Sequence, residues 1–414
     1  MSDLHQEIHH CRICGSEQLQ PVLDLGAQPP ANSLRSDKSE VLPVVPLAIV
    51  RCDGCATIQL THTVRADYLF KHYIWVTGTS SVARSHSEDF YHAMVERAGG
   101  GSLSVVEIAS NDGTFLKPFQ AAGHKVLGVD PAVNVAAMAT EDGVPTWAEF
   151  FGAEVANKIT TERGKADCVF ARNVLPHVEN VQDVVAGIAL CLGEDGLGAI
   201  EFHHAQAILE ELHYDSIYHE HLFFYSLQSL SHLLGLHGLH PYDVVPSPIS
   251  GGSLVLYFRK QPTPPTRALE QALQREADTG LNTLAAWELF AKRSREHKDK
   301  LVEIVEESQN RGLRMIGYGA SARSSTLLNF CRIDGRHLSC IADKSPLKHD
   351  KWTPGTDLAI LAPEKAIAEH KPQSVLLAGW NFREEICGEL REKHGFKGEV
   401  ILPLPGDPSV ITLD

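Results

Sequence analysis

Through the middle of the chain, apolar positions come in short runs separated by stretches of helical spacing, a pattern that predicts alternating strands and helices. Val105, Val106 and Ile108 predict a buried strand, and residues 114–122 have helical spacing closed by Gly123. Residues 126–129 read as a second strand ending in Asp130, a βαβ opening. Residues 167–173 form a further strand running into a loop, with Leu175, Pro176 and His177 just past its carboxyl end. A helix over 181–192 and a strand over 198–202 continue the alternation. After a strand at 254–258, a proline-rich hinge at 261–265 leads into two long helical patterns, 267–279 and 281–309, each with a charged, solvated face. A strand at 313–317 then enters a glycine-containing turn and another helix. The expected architecture is α/β in three parts: a small N-terminal domain (1–70), a Rossmann-like middle domain (71–260), and a helical hinge with a second Rossmann-like lobe (261–414).

Composition narrows the partners. Of 414 residues, 43% are hydrophobic and 21% charged, which fits a globular chain and argues against disorder. Thirty-seven basic against 52 acidic residues leave a formal charge of −15, so nucleic acid and anionic membranes are poor partners. Local donors could still hold an anionic small molecule. The apolar stretch 41–50 is short, carries Pro43 and Pro46, and predicts no membrane span. The N-terminal residues lack the apolar core of a signal peptide, and nine cysteines, an odd number, argue against a disulfide scaffold; the expected compartment is the reducing cytoplasm.

Four of those cysteines stand in two tight CxxC pairs, Cys11 with Cys14 and Cys52 with Cys55. Two such knuckles supply the four thiolates of a tetrahedral structural zinc, and the stretch between them predicts a β ribbon crossing back over the metal. Two redox pairs are the alternative; a catalytic zinc does not fit, because four thiolates leave no open position. His9, His10 and His62 read as surface residues beside the cluster.

The turn after the first strand of the middle domain lacks the GxGxxG glycines, retaining only Gly113. Its sequence, Glu107-Ile108-Ala109-Ser110-Asn111-Asp112-Gly113, instead resembles motif I of class I S-adenosylmethionine-dependent methyltransferases. That resemblance implies a turn, built on Glu107, Asn111, Asp112 and Gly113, passing close under the methionine part of the cofactor. An unrelated Rossmann-like strand–turn–helix is the competing reading. Asp130 can accept hydrogen bonds from both ribose hydroxyls, Phe150 and Phe151 can lie against an adenine, and Asn173 opens the loop past the next strand. Downstream, Tyr218, His219, Glu220 and His221 stand in a row, with His203 and His204 at the end of the preceding strand. No familiar metal-ligand spacing is present, so acid–base chemistry is the alternative to a second metal.

Taken together the chain resembles, nearly end to end, the sugar C-methyltransferase family that acts on nucleotide-linked ketosugars. The first knuckle followed by LDLGAQPPANSL (23–34) and the second followed by Gln59-Leu60-Thr61 resemble its opening, and YIWVTGTSSV (73–82) with residues 107–113 resembles the entry to its methyltransferase domain. Tyr218-His219-Glu220-His221 resembles its Y-x-E-H catalytic strip, and residues 173–177 the loop with its other active-site histidine. Gly317-Tyr318-Gly319-Ala320 and Trp380-Asn381 resemble motifs of its C-terminal lobe. The resemblance implies S-adenosylmethionine as methyl donor and methylation at carbon 3 of a nucleoside-diphosphate 4-keto-deoxyhexose through an enolate. His221 would be the base, Glu220 would orient or tune it, and Tyr218 would be a rival base or an enolate donor. His177 would donate to the carbon 4 oxygen. Substrate contacts would come from Trp75, Ser250, Gly251, Tyr318, Ser321, Arg323, Asp343, Trp380 and Asn381, with Arg323 and the amides at its helix start on the diphosphate. Ser250 replaces the family's usual histidine, Val255 lies where an arginine is often found, and Trp75 falls where a tyrosine is common. The runner-up is an NAD-dependent or non-catalytic sugar-nucleotide binder, although the C-terminal turn lacks the third fingerprint glycine. Guanosine or thymidine as the nucleoside, the sugar, and the oligomeric state, a monomer among the options, stay open.

Overall fold

A computed structural model describes residues 4–70, 76–249 and 251–414; Trp75 and Ser250 lie outside the described residues. The middle domain is a seven-stranded sheet in the order His240–Ser247, Ser253–Arg259, Leu192–His203, Ala166–Arg172, Ser104–Ile108, Lys125–Val129, Thr146–Trp147. From Leu192–His203 through to Thr146–Trp147, neighbouring strands pair in parallel; Ser253–Arg259 is antiparallel to both of its neighbours. The strand order reverses beside Ser104–Ile108, so the loops after that strand and its neighbours open a crevice at their carboxyl ends. The second lobe is a six-stranded sheet in the order Ile360–Leu361, Ile341–Ala342, Met315–Tyr318, Ser374–Leu376, Gly398–Leu402, Ser409–Leu413, parallel except for its last pair. The α/β reading, with two Rossmann-like units behind a cysteine-rich N-terminal domain, is therefore the architecture.

Two helices differ in extent from their sequence patterns. The first helix after Ser104–Ile108 begins at Lys117 rather than 114, because the Asp112 carboxylate takes the Thr114 amide (3.3 Å) and hydroxyl (2.7 Å) and holds that stretch as a turn. The long helix begins at Leu284, where the Thr283 hydroxyl caps the Ala286 amide; the Leu281 carbonyl instead accepts from the Trp287 indole.

Leu19–Gln28 and Val45–Cys52 form the antiparallel ribbon expected between the knuckles, extended by Ile58–Leu60. The fourth strand of that sheet comes from far along the chain: Phe223–Phe224, at the end of the histidine-rich strip 213–224, pairs antiparallel with Ile58–Leu60. One apolar core runs from the knuckles through the middle domain into the second lobe and includes Leu60, Phe223, Trp287 and Leu404. Phe290, 1% exposed within it, represents roughly 1.5–3 kcal/mol of apolar burial. The three parts are thus packed against one another, which matters because the candidate site takes residues from each. Among the described residues, no helix is long and apolar enough to cross a membrane.

Candidate functional site

The knuckles bring their four sulfurs together: Cys11 and Cys55 Sγ lie 3.6 Å apart, Cys14 and Cys52 3.5 Å, and all four fall within 4.8 Å of one another. A tetrahedron with zinc–sulfur bonds of about 2.3 Å has edges of about 3.8 Å, so this donor set fits structural zinc. Gly54 makes room for it, since a Cβ there would stand 3.1 Å from Cys14 Sγ. The other five cysteines are buried singly, and none of the nine forms a disulfide.

At the carboxyl ends of the middle sheet lies a cleft of about 670 Å³ whose opposite wall belongs to the second lobe. Its cofactor half is built on the turn after Ser104–Ile108. Ala109 and Asn111 adopt left-handed backbone conformations (φ 55° and 52°), and the Asp130 carboxylate fixes that geometry by accepting from the amides of Asn111 (2.8 Å) and Ala132 (2.9 Å). Burial raises the Asp130 pKa above its ordinary value. Gly113 has φ +73° and packs on Val144, which a Cβ would approach to 3.0 Å. Over the turn sits the 3₁₀ segment Thr77–Thr79, tethered by the Thr77 amide to Asn111 Oδ1 (2.9 Å) and the Gly78 amide to Asp112 Oδ2 (3.0 Å).

Of the residues expected at the cofactor, Glu107, Asn111, Asp130, Phe150, Phe151 and Asn173 line the cleft; Asp112 and Gly113 shape the turn beneath it. Phe150 stays 67% exposed at the wall, an open aromatic surface. Glu107 Oε2 is buried without a hydrogen-bond partner among the described residues, and burial drives its pKa up against the pull of Arg172. An acceptor held there suits an amino or hydroxyl donor of a bound cofactor, which is how the pocket fits S-adenosylmethionine. Next to it, Glu201 gathers the Arg172 guanidinium, the Asn173 amide (2.8 Å) and His86 Nε2 (2.9 Å). Burial pushes the Glu201 pKa up, but Arg172 and His86 outweigh it and hold the carboxylate below its ordinary value.

His177 lines the cleft, as does His213; Tyr218, Glu220 and His221 are not among the lining residues, and His221 stands against the His177 ring. His221 Nδ1 donates to the Ser216 carbonyl (2.8 Å), which leaves Nε2 of the neutral ring to accept from the Tyr218 hydroxyl at 2.7 Å. The His221 and His177 rings are 4.9 Å apart. Burial lowers the pKa of both histidines, His221 well below its usual value and His177 to about 4, so both are neutral at pH 7. His177 Nδ1 gives its hydrogen to the Glu220 carbonyl (2.8 Å), so that hydrogen is not held out to a substrate oxygen. Nor does the Glu220 carboxylate reach His221: its Oε1 accepts from Asn32 Nδ2 (2.6 Å), in the segment after the first knuckle. The turn closed by the His221 amide on the Tyr218 carbonyl (2.9 Å) sends the two neighbouring side chains to different partners. Ser216 holds the ring that Glu220 was expected to orient.

Burial raises the Glu220 pKa to about 7. A carboxyl whose folded-state pKa lies above its unfolded value holds its proton more tightly when folded, so the chain loses stability as pH rises from about 4.5 to 7. Glu220→Gln keeps an acceptor for Asn32 and cannot ionise. It is expected to be more stable than the parent at pH 8, by at most about 3 kcal/mol, with the advantage shrinking toward pH 5. Melting temperatures of both chains across that range check this; a pH-independent difference would refute it.

In the second lobe, Arg323, Trp380 and Asn381 line the cleft, as does Gly251 of the middle domain. Ser321 instead caps the helix Ala322–Cys331, accepting from the Ser324 amide at 3.1 Å. Asp343 accepts from the amides of Ala320 (2.8 Å) and Ser345 (2.9 Å) and from Lys348 (3.2 Å), and Tyr318 is buried in the lobe's core. Gly319 abuts Gly379: a Cβ would stand 2.6 Å from the Gly379 amide nitrogen, so this glycine serves close packing of two loops. Sequence reasoning missed Asn32, His86, Arg172, Glu201, Asp215 and the cleft-lining, 56% exposed Phe382. Asn32, Arg172 and Asp215 carried a signal, their places in the PPANSL motif, the strand 167–173 and the histidine-rich strip 213–224.

Family models match a zinc binding domain over residues 11–70, a methyltransferase domain over 83–243 and a C-methyltransferase C-terminal domain over 248–405. The chain is 33% identical to the C-methyltransferase NovU of Streptomyces niveus over 420 residues, covering 100% of this chain and 99% of that one. Among solved structures, the PH0226 protein of Pyrococcus horikoshii OT3 shares 15% identity at a TM-score of 0.38, covering 48% of this chain and 100% of its own. The CcbJ methyltransferase of Streptomyces caelestis shares 13% at 0.35, covering 45% and 93%.

Proposed function

The chain belongs to the zinc-containing, S-adenosylmethionine-dependent C-methyltransferases, and from that premise we propose that it methylates carbon 3 of a nucleoside-diphosphate 4-keto-deoxyhexose. The observation that carries the reading is a cleft shared by the two lobes. One wall is the methyltransferase turn, the other presents Arg323, Trp380 and Asn381, and His177 lies between them beside the Tyr218–His221 pair. Such a cleft suits an acceptor with an anionic handle at one end and a reacting carbon at the other.

The carbon 4 ketone acidifies the C–H bond at carbon 3. Neutral His221 is the base: the proton ends on Nε2, taken from carbon 3 directly or relayed through the Tyr218 hydroxyl, while the C–H electron pair becomes the enolate. When bound, S-adenosylmethionine supplies an electrophilic methyl group on a sulfonium. Glu107, Asn111 and Asp130 would hold that donor, and the enolate carbon would take its methyl group while the electrons of the S–CH₃ bond return to sulfur. The chain's part is to hold the two carbons at near-attack distance and to keep water out, which accounts for much of such a rate enhancement. His177 borders the same space. The nine unpaired cysteines support a cytoplasmic setting.

The test is a panel of thymidine- and guanosine-linked 4-keto sugars, deuterated at carbon 3, with a ¹³C-labelled methyl donor. Mass spectrometry and NMR should find the label on carbon 3 and the deuterium gone. Label on an oxygen, or on no member of the panel, would sink the reading.

A further inference from the structure

Asp215 lies in the histidine-rich strip 213–224 but outside its Y-x-E-H motif, and it is a wholly buried carboxylate, 0% exposed, behind the cleft-lining Arg323 and Trp380. It accepts from Arg323 twice, Nε to Oδ2 at 3.0 Å and Nη2 to Oδ1 at 2.8 Å, and from Trp380 Nε1 at 2.7 Å. The Arg323 guanidinium also lies over the Trp380 ring, 4.6 Å from its centroid. A two-pronged ion pair fixes a guanidinium in plane as well as in place. It uses two of the five N–H donors and leaves three for a ligand in the cleft that Arg323 lines.

Both donors come from the C-terminal lobe, whereas Asp215 sits in the 3₁₀ turn Tyr214–Ser216 of the middle domain. That turn is tied to the C-terminal part at two further points: the Tyr214 hydroxyl bonds His297 Nδ1 (2.9 Å), and the Thr326 hydroxyl, on the helix that carries Arg323, donates to the Ile217 carbonyl (3.0 Å). The next residue, Ser216, holds His221 through its carbonyl. Two consecutive residues therefore fix, on one rigid turn, the cation facing the ligand and the ring of the reaction pair.

We propose that Asp215 is a positioning residue. It orients Arg323, which the Trp380 ring backs, to receive the substrate's diphosphate, and its turn sets that anchor at a defined distance from Tyr218 and His221. The inference rests on the sugar-nucleotide reading above.

Isothermal titration with thymidine diphosphate and guanosine diphosphate, on the parent, Asp215→Asn, Arg323→Gln and the double variant, tests it. S-adenosylmethionine titrated into each chain reports the integrity of the fold. A nucleoside diphosphate that binds the parent should bind Asp215→Asn about tenfold more weakly, a loss of the size expected of a charge-assisted contact. The double variant should bind no more weakly than Arg323→Gln, since Asp215 acts through Arg323. Cofactor affinity should be the same in all four. Undiminished binding by Asp215→Asn, or losses that add in the double variant, would overturn the proposal and leave the substrate reading standing. Failure of both diphosphates to bind the parent would overturn the substrate reading and this inference with it. Should Asp215→Asn lose cofactor binding as well, Trp380→Phe removes only one of the three donors and keeps a ring. It should weaken diphosphate binding in the parent background and not in Arg323→Gln; equal losses in both would reject the role.

Discussion

His221→Asn is expected to lower turnover by about 10³-fold, the scale of a removed general base, while leaving S-adenosylmethionine affinity unchanged. Asparagine can still donate to the Ser216 carbonyl, but it has no nitrogen lone pair to receive a proton from carbon 3 or from Tyr218. The histidine is poised as a base because burial and the neighbouring His177 keep it neutral. Near-normal turnover in the variant would remove His221 from the chemistry. Tyr218→Phe separates the two forms of the step. If the tyrosine only relays the proton, its loss should cost about a hundredfold, less than the loss of His221; if the tyrosine is itself the base, the two variants should fall equally.

Loss of the metal is expected to abolish turnover almost as completely, although no cysteine of the cluster lines the cleft. The region between the knuckles has little core of its own, so metal binding would contribute much of its folding free energy. Three contacts then carry any disorder to the reaction pair. Ile58–Leu60, three residues beyond Cys55, pairs with Phe223–Phe224, and the Leu60 amide donates to the Leu222 carbonyl at 2.9 Å. Asn32 holds Glu220, and the Val45 carbonyl accepts from His219 Nε2 at 3.2 Å. A displacement of about 1 Å at a reacting group can cost on the order of a hundredfold. Chelator-treated chain, or Cys52→Ser, should therefore lose at least about that much activity. It should become protease-sensitive before residue 70 and still bind S-adenosylmethionine on the opposite side of the cleft. Full turnover by a chain shown to be metal-free would refute this coupling.

The two expectations differ in how far the sequence supports them. The four thiolates are legible because CxxC is a local geometry: two residues of spacing already place both sulfurs on one side of a turn. The strand order up to Asp130 is legible for the same reason, since hydrophobic period and turn chemistry act over a few residues. Helix starts at Lys117 and Leu284 departed from the apolar pattern where the Asp112 and Thr283 side chains competed for backbone amides, a contest that periodicity does not register. In the candidate site, residue types were legible but partners were not. Tyr218, Glu220 and His221 were singled out together, yet Glu220 turns to Asn32 and His221 to Ser216.

By itself, the sequence determined a metal-knuckled α/β chain with a polar turn at the carboxyl end of its first middle strand and a row of acid–base residues downstream. Only the tertiary structure decided which of those groups meet. Asn32 reaches Glu220 across 188 positions, Arg323 reaches Asp215 across 108 and Trp380 reaches it across 165. Contacts at such separations obey no local period; they form because one shared core brings three parts of the chain together, and buried charges must then find partners there.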